Sequence, residues 1–598
     1  MEDTKKNLNA LFADLLSRKI NYFLLFLSDP HLSEYVAEQY KYIRYLTGFT
    51  GSNATVIFSS KEKKGYFFTD GRYTVQAKKE LPVNIELQPL EADYLSFLQN
   101  KVDSKSVVAI DTELVSLSKM KQLQNTIGTV CTLETRFNIM EKVWALKERP
   151  KLPNDNYYLI KDEEAGLSAK NKINNILNVV KSQGANSILI STLTDIAWIT
   201  NVRGSDVAYT PVFYAYLFLS PEKNYLFTNL KKVPSNVEAY LKRNDIKLLD
   251  YQKFETTFTY ERNHIILLDP NNTTFSAYKI VENKGKNRVL LAVNPSERMK
   301  AIKNNKEIEL IRQAHIDDAV AMIKFSYWIK TDKKVKTEWE ISLKLDELRK
   351  LNKSFLQPSF NSIVAFKEHG AMMHYAPSEN DPEGRVNGDG LLLVDSGGQY
   401  KYGTTDITRT YAIGTLTSEE ITHYTYVLRS LINLSTTKFL AGCSGQSLDV
   451  IARKPLWDLG LDYKSGTGHG VGFLNSVHEG PNRFMFKKPL NTQIDDTLVE
   501  NMVTTIEPGI YLENQYGIRH ENVTNVIKDL SNEQGQFYAL ETLTLVPFDL
   551  EAINPNLLNP SQKKFLNDYH KSIQTNKEIT SQLSIEENTW LIKATRAI

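Results

Sequence analysis

Short apolar blocks alternate with helically spaced segments along the first 150 positions. The runs at 21–27, 54–58, 65–69 and 107–110 have strand length, so this stretch is predicted to be an α/β unit. The proline-bounded Arg149-Pro150-Lys151-Leu152-Pro153 closes it as a stiff connector. The pattern then begins again, with a helix over 170–181 and strands at 187–190, 212–219 and 265–268. A second boundary falls near Asn294-Pro295. Beyond it, residues 299–314 set Ile302, Ile308 and Ile311 among charges, which predicts one amphipathic helix opening a third domain. Thr337-Glu338-Trp339-Glu340 has capping-box spacing and should start another helix, with Lys333, Lys334 and Lys336 before it as a solvated connector. From Gly390 onward strands dominate. The expected domains are α/β units at 1–150 and 151–295, an α+β domain at 296–540 that carries the chemistry, and an extension at 541–598 packed on that domain.

Length and composition narrow the possibilities. A chain of 598 residues is too long for one core. Its 72 basic and 70 acidic residues leave a net charge of +2, with no basic footprint for nucleic acid. Cys131 and Cys443 are the only cysteines, which suits a reducing compartment. The N-terminus lacks the basic and apolar regions of a signal peptide, and the run 22–27 (YFLLFL) is too short to span a bilayer. A cytoplasmic protein that binds no membrane is expected.

The sharpest chemical signal lies in GDGLLLVDSGGQYKYGTTDITRTYAIG. Residues 391–394 are continuously apolar, fit for a strand buried on both faces, and end on Asp395. Asp406 lies in a second β-rich run, 404–411. A hairpin bent near Tyr400 would bring the two aspartates opposite one another, where they repel unless a cation neutralises them or one takes a proton. Taken alone, Asp395 reads equally as a turn residue and Asp406 as a salt-bridged acid.

Two later segments change that balance. SGTGHGVGFLNSVHEGP places His469 and His478 among glycines, which permit close backbone approach and positive φ. TTIEPGIYLENQYGIRHENV has the form of a hairpin bringing Glu507 and Glu521 together. Four carboxylates match the charge of two divalent ions. An oxygen-rich set with one imidazole suits Mn²⁺, Co²⁺, Zn²⁺ or Fe²⁺ and not a thiolate zinc site. A pair of such ions can share a hydroxide and polarise a scissile carbonyl.

DSGGQYKYGTTDITRT, GTGHGVG with VHEGP, and EPG with GIRHEN resemble the Xaa-Pro aminopeptidases, one group of the pita-bread metallopeptidases. DPHLSEY, TGFTGSNA, TDGRY and the segment around Thr194–Asp206 resemble that family's two creatinase-like N-terminal domains. LETLTLVPFD and NDYH resemble the extension of its long, three-domain cytosolic members. The resemblance implies a pita-bread catalytic domain with two divalent ions, Mn²⁺ foremost and Co²⁺ or Zn²⁺ as alternatives. It implies hydrolysis of the bond before a penultimate proline, and a homodimer. Residue by residue, it makes Asp395 a chelating ligand, Asp406 and Glu521 bridges, and His469 and Glu507 the completion of the second site. Glu507 would also carry protons. His374 and His478 match histidines that contact the substrate near the scissile bond and serve catalysis, and Arg519 matches an arginine close to the site.

Ser465 departs from the pattern by standing where the family usually has histidine, and His369 and His520 are also unusual and are expected to be bystanders. Prolidase is the nearest alternative function, methionine aminopeptidase a more distant one, and a metal-free binding protein on this scaffold the alternative from another class.

Overall fold

The computed structural model describes residues 2–135, 139–379, 381, 384–487 and 495–598. The chain divides into two compact units, one of residues 1–162 and 167–296, the other of residues 163–166 and 297–598.

The first unit contains two six-stranded mixed sheets. In the first, Ile85–Leu87, Lys64–Phe68, Thr55–Ser59, Tyr22–Phe26, Val107–Ile110 and Thr132–Glu134 lie side by side in that order. In the second, the order is Ile246–Asp250, Asn224–Thr228, Ala215–Leu219, Ser187–Ile190, Ile265–Leu268 and Arg288–Leu291. Both follow one sequence of pairings: parallel, two antiparallel, then two parallel. The central strands Ser187–Ile190 and Ala215–Leu219 are buried throughout, as helices on both faces require. The topology thus repeats without a detectable sequence repeat, because alternate patterns of apolar residues satisfy the same layers.

Residues 299–314 form two helices where one was expected. Pro295–Ala301 ends, and Asn305–Thr331 restarts at Asn304, whose side chain accepts from Lys306 and Glu307 N–H while Glu307 bonds back. That capping box satisfies the orphan donors of a new helix start. Ile302 falls in the break and is exposed, whereas Ile308 and Ile311 are buried. The box at Thr337 does start a helix, Glu338–Arg349.

The core of the second unit packs these helices, with Ser418–Ser435 and Gly445–Trp457, against strands that carry the acids. A three-stranded sheet sets Gly390–Ser396 between Ile363–Phe366 and Ile407–Ile413. A six-stranded sheet runs Phe439–Leu440, Gly535–Thr542, Asn522–Asn532, Val503–Ile506, Gly468–Gly470, Glu479–Phe484. Helix Pro560–Thr575 ties into this core through Arg409, whose guanidinium donates to the Val546 carbonyl at 2.7 Å and to Tyr569 Oη at 3.1 Å. Among the described residues, no helix is long and apolar enough to cross a membrane.

Candidate metal centre

Gly390–Ser396 is buried at every position, and Asp395 sits near its end. The hairpin to Ile407–Ile413 exists, but its turn is Lys401-Tyr402, so Thr408 stands opposite Asp395. Asp406 precedes the second strand and reaches Asp395 diagonally, two residues along from Thr408. The expected bend near Tyr400 was one residue early, and a shift of that size moves the opposite residue by two.

His469 lies in Gly468–Gly470, between Glu479–Phe484 and Val503–Ile506. Its glycines serve close approach: a Cβ on Gly468 would lie 1.9 Å from the Thr505 carbonyl oxygen. None of the glycines at 466, 468, 470 and 472 has positive φ, contrary to expectation. The last pair joining Val503–Ile506 to Asn522–Asn532 is Ile506 with Asn522, so Glu507 and Glu521 leave the ladder side by side. Between them runs the hairpin Gly509–Leu512 and Tyr516–Arg519.

These elements bring ligand atoms of Asp406, His469 and Glu521 within 4.8 Å of one another. His469 Nε2 stands 3.5 Å from Asp406 Oδ2 and 3.5 Å from Glu507 Oε1. Its Nδ1 is 2.9 Å from the Gly470 carbonyl oxygen, which can only accept, so Nδ1 donates there and Nε2 is the ring nitrogen turned toward the acids, where a cation would take its lone pair. Arg519 ion-pairs with Asp395, donates from Nε to Thr408 Oγ1 at 3.0 Å and from Nη1 to Tyr511 Oη at 2.7 Å. Thr408 in turn donates to Glu521 Oε2 at 2.8 Å.

Two substrate-side histidines were expected beside these acids. His478 packs its ring edge-to-face on His469, centroids 4.4 Å apart. His374 follows the tight turn Lys367–Ala371, and the neighbouring Met373 carbonyl lies 3.5 Å from Arg519 Nη2. His520 is buried against Tyr424, with burial and Arg409 pushing its imidazole down to about 3.

The chain is similar to known proteins along its whole length. Residues 309–528 match the metallopeptidase family M24 model, residues 17–141 and 148–307 match creatinase/prolidase N-terminal domains, and residues 536–598 match the C-terminal region of peptidase M24. Xaa-Pro aminopeptidase 1 of Dictyostelium discoideum is 33% identical over 95% of this chain and 94% of its own. The chain belongs to the Xaa-Pro aminopeptidases of metallopeptidase family M24. The crystal structure of the X-prolyl aminopeptidase from Caenorhabditis elegans, described as a cytosolic enzyme with a di-nuclear active site, superimposes with TM-score 0.93 at 28% identity over the full length of both chains. A Xaa-Pro dipeptidase from Bacillus anthracis shares the fold over 64% of this chain, with TM-score 0.51 and 22% identity. The two creatinase-type domains and the pita-bread catalytic fold are therefore those of this M24 group.

The donor set fits two divalent cations. Burial and repulsion from one another, Asp395 and Glu507 raise the carboxyls of Asp406 and Glu521 far above the usual range. Asp395 Oδ1 is buried with no hydrogen-bond partner among the described residues. An acceptor left open beside crowded acids is what a cation would complete. Thr408 and Tyr511 were not among the residues expected at the site. Thr408 alternates with Asp406 along one β-rich run, a signal that could have found it, whereas Tyr511 is reached only through the fold.

Proposed function

We propose that this chain hydrolyses the N-terminal residue from peptides with proline in second position, using a pair of divalent ions. The convergence of Asp406, His469 and Glu521 within 4.8 Å, with Glu507 at 3.5 Å from His469, carries this reading. Asp395, Asp406, His469, Glu507 and Glu521 would hold the two ions. When bound, the ions supply Lewis acidity to the carbonyl and acidify water.

The chain's own groups do the rest. Glu507 takes the proton of the attacking water and returns it to the departing proline nitrogen. His374 and His478 offer N–H donors where negative charge develops on the carbonyl oxygen. Arg519 holds Asp395 in orientation and contributes fixed positive charge beside the substrate. A prolyl bond lacks an N–H and has a fixed φ, so selectivity comes from accepting the ring and not from a backbone hydrogen bond.

The oxygen-rich set favours Mn²⁺, with Co²⁺ or Zn²⁺ as alternatives. Cys131 and Cys443 are unpaired, which supports a reducing cytoplasm, and a homodimer is part of the reading through the family resemblance alone. The test follows release of Xaa from an Xaa-Pro-Yaa peptide and from an Xaa-Pro dipeptide, before chelation, after it, and after Mn²⁺ return. Cleavage of the longer peptide that vanishes on chelation and recovers with Mn²⁺ is expected. Full turnover in the chelated chain overturns the metal assignment, and cleavage of the dipeptide alone makes it a prolidase.

A further inference from the structure

We infer that Glu338 is a positioning residue that holds the turn bearing His374 in its working place; this rests on the substrate-side role proposed for His374. Glu338 is the first residue of helix Glu338–Arg349, fixed by the Thr337 cap, and is 1% exposed. Its carboxylate points into the 366–375 segment. Oε1 accepts the Phe366 N–H at 2.6 Å, and His369 Nδ1 lies 3.1 Å from Oε1 and 2.9 Å from Oε2. Oε2 accepts the Tyr375 hydroxyl at 2.7 Å. One buried carboxylate therefore ties down the strand end before the turn, the turn itself, and the residue following His374.

Two further contacts make the segment a fixed platform. The His369 ring stacks on Tyr375, centroids 4.5 Å apart and tilted by 27°. On the other side the turn lies directly on Tyr516–Arg519: a Cβ on Gly517 would fall 1.8 Å from the Gly370 carbonyl oxygen. That strand ends on Arg519, the partner of Asp395. His374 is thus held between Glu338, through Tyr375, and Arg519, through the Met373 carbonyl. These two anchors constrain its place relative to the acids.

Glu338, His369 and Asp381 also bring three ligand-type atoms within 4.8 Å. The Tyr375 hydroxyl stands between Glu338 and Asp381, at 2.7 and 2.9 Å, and burial beside them pushes its pKa up so that it stays a donor. The cluster is satisfied by hydrogen bonds, which favours anchoring over cation binding.

The test uses the metal-loaded full chain and an Xaa-Pro-Yaa peptide. Displacing a substrate-contacting group by about 1 Å costs about 100-fold, so Glu338→Ala should lower kcat about 10- to 100-fold with bound metal per chain unchanged. Glu338→Gln should restore kcat to within about threefold, because its amide accepts from Phe366 and donates to Tyr375 while that hydroxyl turns to Asp381. In a His374→Ala background, Glu338→Ala should change kcat less than about twofold. Tyr375→Phe, a mild change that keeps the ring stack, tests the same link if Glu338→Ala does not fold, and should lose kcat only when His374 is present. Losses that multiply in the double variants overturn the inference, as does full kcat in Glu338→Ala or, where that does not fold, in Tyr375→Phe. Unchanged kcat in His374→Ala alone overturns the role of His374 instead.

Discussion

Stripping the divalent ions should make the stability of this chain fall as pH rises. Without cations, Asp406 and Glu521 are buried among acids, and burial first and mutual repulsion second lift their carboxyls far above the unfolded value. The folded, metal-free chain therefore holds protons that the unfolded chain has released. Stability is full below the unfolded carboxylate pKa and is lost as pH rises toward the folded one. Each group that stays protonated contributes a slope of ~1.4 kcal/mol per pH unit. From about pH 6 to about pH 8 this amounts to ~3 kcal/mol if one proton is retained and ~5 kcal/mol if both are. The loaded protein, with its carboxylates held ionised, lacks that slope. Urea unfolding of the chelated and Mn²⁺-loaded chains across this range measures it. Calorimetric titration of Mn²⁺ in two buffers of different ionisation enthalpy should show release of about one to two protons per chain near neutrality. Parallel pH profiles with no proton release would refute the crowded-acid argument.

Three substitutions probe the neighbours of the acids. Arg519→Met leaves the Asp395 carboxylate buried without its guanidinium, and breaking such a pair costs about 3–5 kcal/mol, to be read by urea unfolding of the metal-free chain. Glu507→Gln should lower kcat about 100- to 10,000-fold and remove the acid limb of the kcat/KM profile, while KM changes little. Gly517→Ala forces a Cβ against the Gly370 carbonyl and should lower kcat on Xaa-Pro-Yaa peptides more than it lowers the unfolding midpoint, because it displaces the His374 turn.

Much of the site was legible because its residues sit at the ends of β-runs with strong local patterns. The run 391–394 announced a doubly buried strand, and the structure buries it completely. The hairpin forms were also visible, and the structure makes both, with their turns at Lys401-Tyr402 and at 513–515. Register was not legible. One residue of turn position decides whether Asp406 or Thr408 faces Asp395, and glycines and polar residues near 397–403 tolerate either bend. The break after Ala301 was hidden for a related reason: Ile302, Ile308 and Ile311 keep a helical period across it, and only Asn304 with Glu307 marks the restart. Glu338 was read as part of a cap, and its partners lie 28 to 37 residues away. Local periodicity carries no information about them.

Arg519 explains why the acids can be packed so tightly and still need cations. Asp406 is 4% exposed and Glu521 1%, so water neutralises little of their charge. With all four carboxylates ionised, one guanidinium leaves three negative charges uncompensated in a buried place. A single divalent ion leaves one, and two reverse the sign by one. The loaded site is then weakly electropositive, which favours a polarised carbonyl or an anionic species over a neutral one. Protonation of Asp406 and Glu521 is the alternative route to near-neutrality. The chain therefore exchanges protons for cations at the same residues.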